Sequence, residues 1–303
     1  MRKHPQSAQA EANLARQYER SARAYRTGTA LFTALAVLLT VVTLYPYLFS
    51  IIASLRKGFD IYSMNFRLSD LTFYAYERIL FGLKADEAAI TIWPWMLNTV
   101  FLSTSITCLM LLISAMGGYA LARIQFPGKK LWFALLLAVM MVPGQVTLVT
   151  KYIMITKIFG WMNSYYGLII PFIFSAYYTF MMRQFFLSFP KDLEEAAIMD
   201  GMSRVGVFFK LLIPLSKAPL LAAGTLIFMG SWGSYLWPKL LITKASLFPI
   251  SLGMTMMMGS KYRISPALPM AAAIITMLPL LLLFAFFQKY FMQSITSTGT
   301  KGS

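Results

Sequence analysis

Residues 188–219 read SFPKDLEEAAIMDGMSRVGVFFKLLIPLSKAP, a stretch where acids, bases and helix punctuation crowd together between two long apolar runs. Ser188 suits an N-cap, Pro190 a first helical turn, and Asp192, Glu194 and Glu195 the positive end of a helix dipole, so a short helix is expected to begin near Pro190. Ala196 and Ala197 propagate it. Gly201 is the expected left-handed stop, Ser203 caps a second helix through Phe208, Phe209, Leu211 and Leu212, and Pro214 limits that helix. The expected product is a bent pair of short helices, the first with a small-residue face and a carboxylate pair, hung between two membrane spans.

The composition sets this stretch in a membrane. Of 303 residues 58% are apolar and 13% charged, where soluble domains carry about 25% charged residues. Working outward, apolar runs at about 27–55, 92–122, 131–150, 160–182, 218–238 and 264–288 predict an all-α protein of six transmembrane helices, each near the ~20 residues that a bilayer core requires. The loop 188–217 lies between the fourth and the fifth. Pro46 is expected to kink the first span, Trp93 and Trp95 to anchor the second at an interface, Gly117-Gly118 to allow close helix approach, and Pro143-Gly144 to break the third. Residues 1–26 form a basic amphipathic arm, expected to stay in the mature protein as a helix near the membrane surface, and 290–303 a short polar tail. Lys and Arg decide the orientation: with both termini inside, the cytoplasmic segments hold sixteen and the external ones eleven.

The charge of +16 is scattered between apolar runs rather than gathered on one aromatic-interleaved face, so no nucleic-acid partner is expected. A single cysteine, Cys108, excludes an intrachain disulfide, and a single histidine, His4, leaves no equipment for metal or His-based chemistry. The six spans as bounded hold no Asp, Glu, Lys, Arg or His, hence no proton relay. Sodium bound by backbone oxygens keeps an ion-coupled secondary transporter as an alternative, and a non-transporting scaffold is another. No G-x-x-x-x-G-K-[ST] stretch is present, so this chain is not expected to hydrolyse ATP.

Glu195-Ala196-Ala197, Asp200-Gly201 and the Ile213-Pro214-Leu215 close resemble the signature loop of permease subunits of binding-protein-dependent ABC importers. Met202 and Leu211 depart mildly from that pattern. Tyr119 to Arg123 with Phe126-Pro127-Gly128, Met141 to Pro143, and the ending from Tyr290-Phe291 to Lys301-Gly302 are similar to the smaller permease of maltose-type sugar importers, across about residues 28–303. The resemblance implies a type I importer permease fold in a bacterial inner membrane. It also implies a second homologous permease, two ATPase subunits carrying ATP and Mg, and an external substrate-binding protein.

By position it implies a coupling helix with Glu195 paired to a basic residue of the ATPase, Ala196 and Ala197 allowing close approach, and Gly201 turning the chain. Glu194 and Asp200 complete the implied ATPase-coupling set; the plainer alternatives are that Glu194 is the solvated member of the carboxylate pair and that Asp200 caps or neutralises the loop. The loop between spans five and six (Leu252, Gly253, Met254, Thr255, Lys261, Arg263) is implied to reach the binding protein. Tyr177, Tyr178, Trp232 and Tyr235 are weaker candidates for the sugar path, because aromatics at such spacing also serve as packing. Lys239, Lys244, Lys261 and Arg263 lack an intervening acid, which suits either an anionic saccharide or docking to an acidic binding protein.

Overall fold

The computed structural model describes residues 5–56, 68–82, 91–257 and 266–299, with side chains described between 25 and 288. Lys261, Arg263 and the Lys301-Gly302 ending lie outside the described residues, as do the side chains of the basic arm up to 24. All elements are helical, and among the described residues the only β-type pairing is an isolated bridge from Arg56 to Leu71.

Helix α1 (Pro5–Ser54) passes through residue 26 and through Pro46 without a break, so the basic arm and the first span form one helix of about 75 Å. Its hydroxyls turn inward on the backbone: Thr29, Thr33, Thr40 and Ser50 each donate to the carbonyl four residues earlier at 2.8–2.9 Å. That keeps these four hydroxyls from standing free on an apolar surface. After α2 (Tyr74–Phe81), α3 (Trp93–Arg123) spans about 46 Å and forms the spine of the bundle. Helices α4 (Lys129–Met140), α5 (Leu148–Ile153, extended by a π turn over Met154–Ile158), α6 (Tyr165–Ile169) and α7 (Ala176–Leu187) follow.

Helix α7 lies against α3 where Gly118 permits it, since a Cβ there would stand 2.7 Å from Met182 Cβ. The short α8 (Lys191–Met199) comes next, then α9 (Arg204–Gly206) and α10 (Ile213–Leu215), joined by a π turn over Val207–Leu212. Helix α11 (Lys217–Trp232) packs on α3, α12 (Leu236–Leu241) and α13 (Ile250–Met257) close the far end, and α14 (Ala267–Gly299) packs on α11 and α1.

Among the described residues three helices are long and apolar enough to cross a membrane, and two bent pairs raise this to five. The expected third span, 131–150, is not one helix: α4 stops at Met140, turns occupy 141–147 around Pro143, and α5 begins at Leu148. Proline cannot donate into the helical ladder, and the adjacent glycine does not favour its resumption. Within the expected fifth span, 218–238, α11 ends at Trp232 and α12 begins at Leu236. Upstream of it, the 204–215 segment meets α11 at 81° and lies across the end of the bundle. Buried Ser216 sits at that corner, its hydroxyl donating to the Leu212 carbonyl at 2.6 Å.

The helices run past the expected span boundaries: α7 continues to Leu187 and contains Arg183, with Phe186 buried beside it, and α5 contains Lys151 just beyond residue 150. Arg183 lies over the Phe133 ring at 3.8 Å, and Lys151 over Phe172 at 5.0 Å.

Candidate functional site

The helix expected in the 188–219 stretch is present, with two changes. Ser188 does not start it: this hydroxyl donates to the Phe185 carbonyl at 2.7 Å and closes α7, while Pro190 takes the N-terminal position of α8. The other end is as expected. Gly201 has φ +84°, its N–H bonds the Ile198 carbonyl at 2.9 Å, and the Met202 N–H bonds that of Ala197 at 3.0 Å. This Schellman arrangement uses the left-handed conformation that glycine adopts without strain, with Asp200 as the C-cap beside it. Ser203 caps the next helix by accepting from the Gly206 N–H at 3.1 Å.

Glu194 is the buried member of the carboxylate pair, not the solvated one. It accepts from the Tyr119 hydroxyl at 3.0 Å, and its second oxygen lies 3.6 Å from Arg123 Nε, an ion pair rather than a hydrogen bond. The Arg123 guanidinium also donates to the Phe189 carbonyl just before α8. Tyr119 and Arg123 are one turn apart on α3, so α3 grips α8 and its entry from one face. Below this grip Val207, Phe208 and Leu212 pack with Met182, Phe186 and Tyr119. The opposite face of α8 is bare. Glu195 and Ala196 are exposed, Ala197 is half-buried, and Leu193 and Met199 stand out, Met199 at 86% exposure.

A second site lies near the other end of the bundle. A cavity of about 210 Å³ is walled by α3, α11 and the segments leading into α7 and α12, with Phe172, Tyr178 and Trp237 as its aromatic members. Thr99, Ser103, Ser231 and Ser234 supply hydroxyls, and no charged side chain lines it. The Thr99 hydroxyl is engaged, donating to the Trp95 carbonyl and accepting from the Ile250 N–H, both at 2.7 Å. Ser103 and Ser231 are buried oxygens without a hydrogen-bond partner among the described residues. Thr107 and Ser114 continue this line of unpaired hydroxyls along α3 towards the α8 end.

Of the four aromatic path candidates, Tyr178 alone lines the cavity. Tyr177 is exposed, Trp232 is buried and donates to the Thr276 carbonyl at 3.3 Å, and Tyr235 lies under Lys239 at 5.2 Å. The unpaired serines were missed, because serine in an apolar helix ordinarily bonds its own backbone and gives no signal of standing free. At the mouth, Leu252 and Gly253 face inward, with Gly253 against the Trp95 ring. Met254 is half-buried and Thr255 exposed.

Residues 114–297 match the family model described as binding-protein-dependent transport system inner membrane component. The arabinooligosaccharides transport system permease protein AraQ of Halalkalibacterium halodurans is 32% identical, over 86% of this chain and 92% of its own. The trehalose/maltose transport system permease protein MalG of Thermococcus litoralis is 26% identical, over 88% of this chain and 95% of its own. Among solved structures, a chain of a bacterial ABC transporter involved in the import of the acidic polysaccharide alginate matches with a TM-score of 0.76. It is 22% identical and is covered over 97% of its length by 88% of this chain, a likeness of fold.

Proposed function

We propose a function from one established premise: the chain belongs to the family of binding-protein-dependent transport system inner membrane components, the permease subunits of ABC importers. It is a transport subunit rather than an enzyme, working with a separate ATPase and a substrate-binding protein in the inner membrane. In our reading it is the smaller half of a heterodimer with a second permease, served by two ATPase subunits that carry ATP and Mg. Both termini and α8 lie on the cytoplasmic side, in keeping with the balance of Lys and Arg.

The observation that carries this reading is the two-faced setting of α8. One face is tied through Glu194 to Tyr119 and Arg123 of α3, and the other presents Leu193, Glu195, Ala196 and Met199 to a partner. A stiff helix fixed to the membrane spine on one side and docked into the ATPase on the other transmits a rigid-body rotation that a loose loop would absorb. Glu195 pairs with a basic residue of the ATPase there, and Gly201 returns the chain.

The cargo is a saccharide, as the names of the arabinooligosaccharide and trehalose/maltose relatives suggest. Hydroxyls without partners beside Tyr178, Phe172 and Trp237 suit a sugar, whose hydroxyls need hydrogen bonds and whose ring faces stack on aromatics. At about 210 Å³ the cavity is smaller than the roughly 300–1,000 Å³ of complete small-molecule sites, so it serves as a half-site completed by the second permease. Its uncharged lining favours a neutral stretch of sugar at this point and leaves the exposed Lys239 and Lys244 to docking of the binding protein.

Purification of the tagged chain from its own host, followed by ATP hydrolysis assays with the co-eluting binding protein, tests the reading. An ATPase and a second permease are expected to co-elute, and Glu195→Lys to abolish substrate-stimulated hydrolysis while the complex stays assembled. Elution without an ATPase, or full stimulation in the variant, overturns it.

A further inference from the structure

Where α3 and α7 end and α4 begins, Gln125, Lys129, Lys130, Leu131, Phe133 and Arg183 line an open cavity of about 690 Å³, and no carboxylate shares that lining. Lys129 Nζ donates to the Ile124 and Ala122 carbonyls at 2.9 and 3.3 Å, and Arg183 Nε to the Leu121 carbonyl at 3.3 Å. These bonds satisfy the negative end of α3 but supply no counter-charge. Among the described residues neither cation has an ion-pair partner. Lys130 is exposed in the first turn of the 12-residue α4, which adds the positive end of that helix to the same place. Burial, then Arg183 and Lys191, hold the Lys129 ammonium below the ordinary lysine range, and no acid opposes them. Three cations and a helix N-terminus converge on one opening, and an anion is the missing component.

The surface that continues from this opening is apolar. Leu131, Leu135 and Val139 recur every four residues along α4, with Trp132 beside them, and all four are exposed, Leu131 at 63% and Trp132 at 60%. Leu136 is the buried member of the helix. A basic opening at one end of an exposed apolar stripe, with a tryptophan at the junction, has the order of a headgroup, an interface and acyl chains.

We propose that this cavity binds the phosphate of an anionic phospholipid whose acyl chains lie along the Leu131–Val139 face of α4. The orientation proposed above places it in the cytoplasmic leaflet; the site's chemistry does not depend on that reading. An acidic patch on a protein partner satisfies the charges but not the stripe, which the same helix carries onward into the bilayer.

The test uses the full importer complex in nanodiscs and reads the fluorescence of Trp132, obtained as the difference between wild type and Trp132→Phe. Brominated phosphatidylglycerol at low mole fraction is expected to quench this signal well over fivefold more effectively than brominated phosphatidylcholine, since a single surface cation contributes about fivefold. Lys130→Gln, which removes a charge that makes no internal hydrogen bond, is expected to lower the preference by about the fivefold that one surface lysine contributes. Lys130→Arg should retain it, and binding-protein-stimulated ATP hydrolysis in the same discs shows that each variant is assembled. Equal quenching by both lipids, or a preference unchanged in Lys130→Gln, overturns the proposal. Loss of the preference on adding millimolar inorganic phosphate at constant ionic strength identifies a free-phosphate site and also overturns it. So does carbodiimide cross-linking of Lys130 to another subunit. A complex without ATP hydrolysis would instead count against the permease reading.

Discussion

At the α8 end of the bundle the carboxylate of Glu194 is buried with Tyr119 and Arg123 as partners, whereas in the cavity towards the other end the hydroxyls of Ser103 and Ser231 are buried with none. Removing one member of a buried ion pair strands the other charge at a cost well above that of the intact pair, so the first region resists change. An unpaired hydroxyl costs folding free energy continuously, and that cost is recovered only when a ligand or water supplies the missing bond. The first arrangement suits a joint that must stay rigid in every state. The second suits a wall that cargo must touch and leave.

The largest expected effect tests the joint. Glu194→Ala leaves Arg123, whose side chain is 5% exposed, as an uncompensated buried charge. It should cost about 3–5 kcal/mol, read as a lowered denaturation temperature of the purified complex with loss of saccharide-stimulated ATP hydrolysis. A variant of wild-type stability would mean that Glu194 and Arg123 are not held together. Tyr119→Phe removes only the hydroxyl and should cost about 1.5–3 kcal/mol by the same measurement, with hydrolysis reduced rather than lost.

Gly201→Ala is expected to be smaller again. A Cβ meets nothing within 4 Å there, so only the left-handed conformation is penalised, by about 1–2 kcal/mol. A larger loss would place a partner against that turn. The cavity should respond with the opposite sign. Ser103→Ala and Ser231→Ala remove hydroxyls that have no partner, so the denaturation temperature should hold or rise while KM for ATP-driven saccharide uptake increases several-fold. A fall in stability with unchanged KM would show that these hydroxyls serve the fold and not the path.

Much of the joint was legible in the chain. Gly201 and Ser203 announce the turn and the second cap because their roles depend on backbone conformation and bonds within a few residues, which sequence encodes directly. The division of labour between Glu194 and Glu195 was not legible. Adjacent helical residues differ by about 100° of rotation, and which of them faces α3 depends on how α8 docks, a contact across 75 residues of sequence. Helix ends were not legible for a similar reason: hydropathy changes at 182, but α7 runs on to Leu187 because Arg183 is accommodated by the Phe133 ring and a carbonyl of α3.

By itself the sequence determined the class of this protein: a helical membrane subunit with an acidic, glycine-stopped helix between its fourth and fifth apolar runs. Composition, local helix signals and spacing depend on short-range chemistry and survive without a fold. Tertiary structure alone decided which carboxylate is buried, which hydroxyls go unpaired, and where three cations meet without an acid. Those properties belong to surfaces assembled from distant segments, and a side chain's burial and partners do not exist until the segments pack.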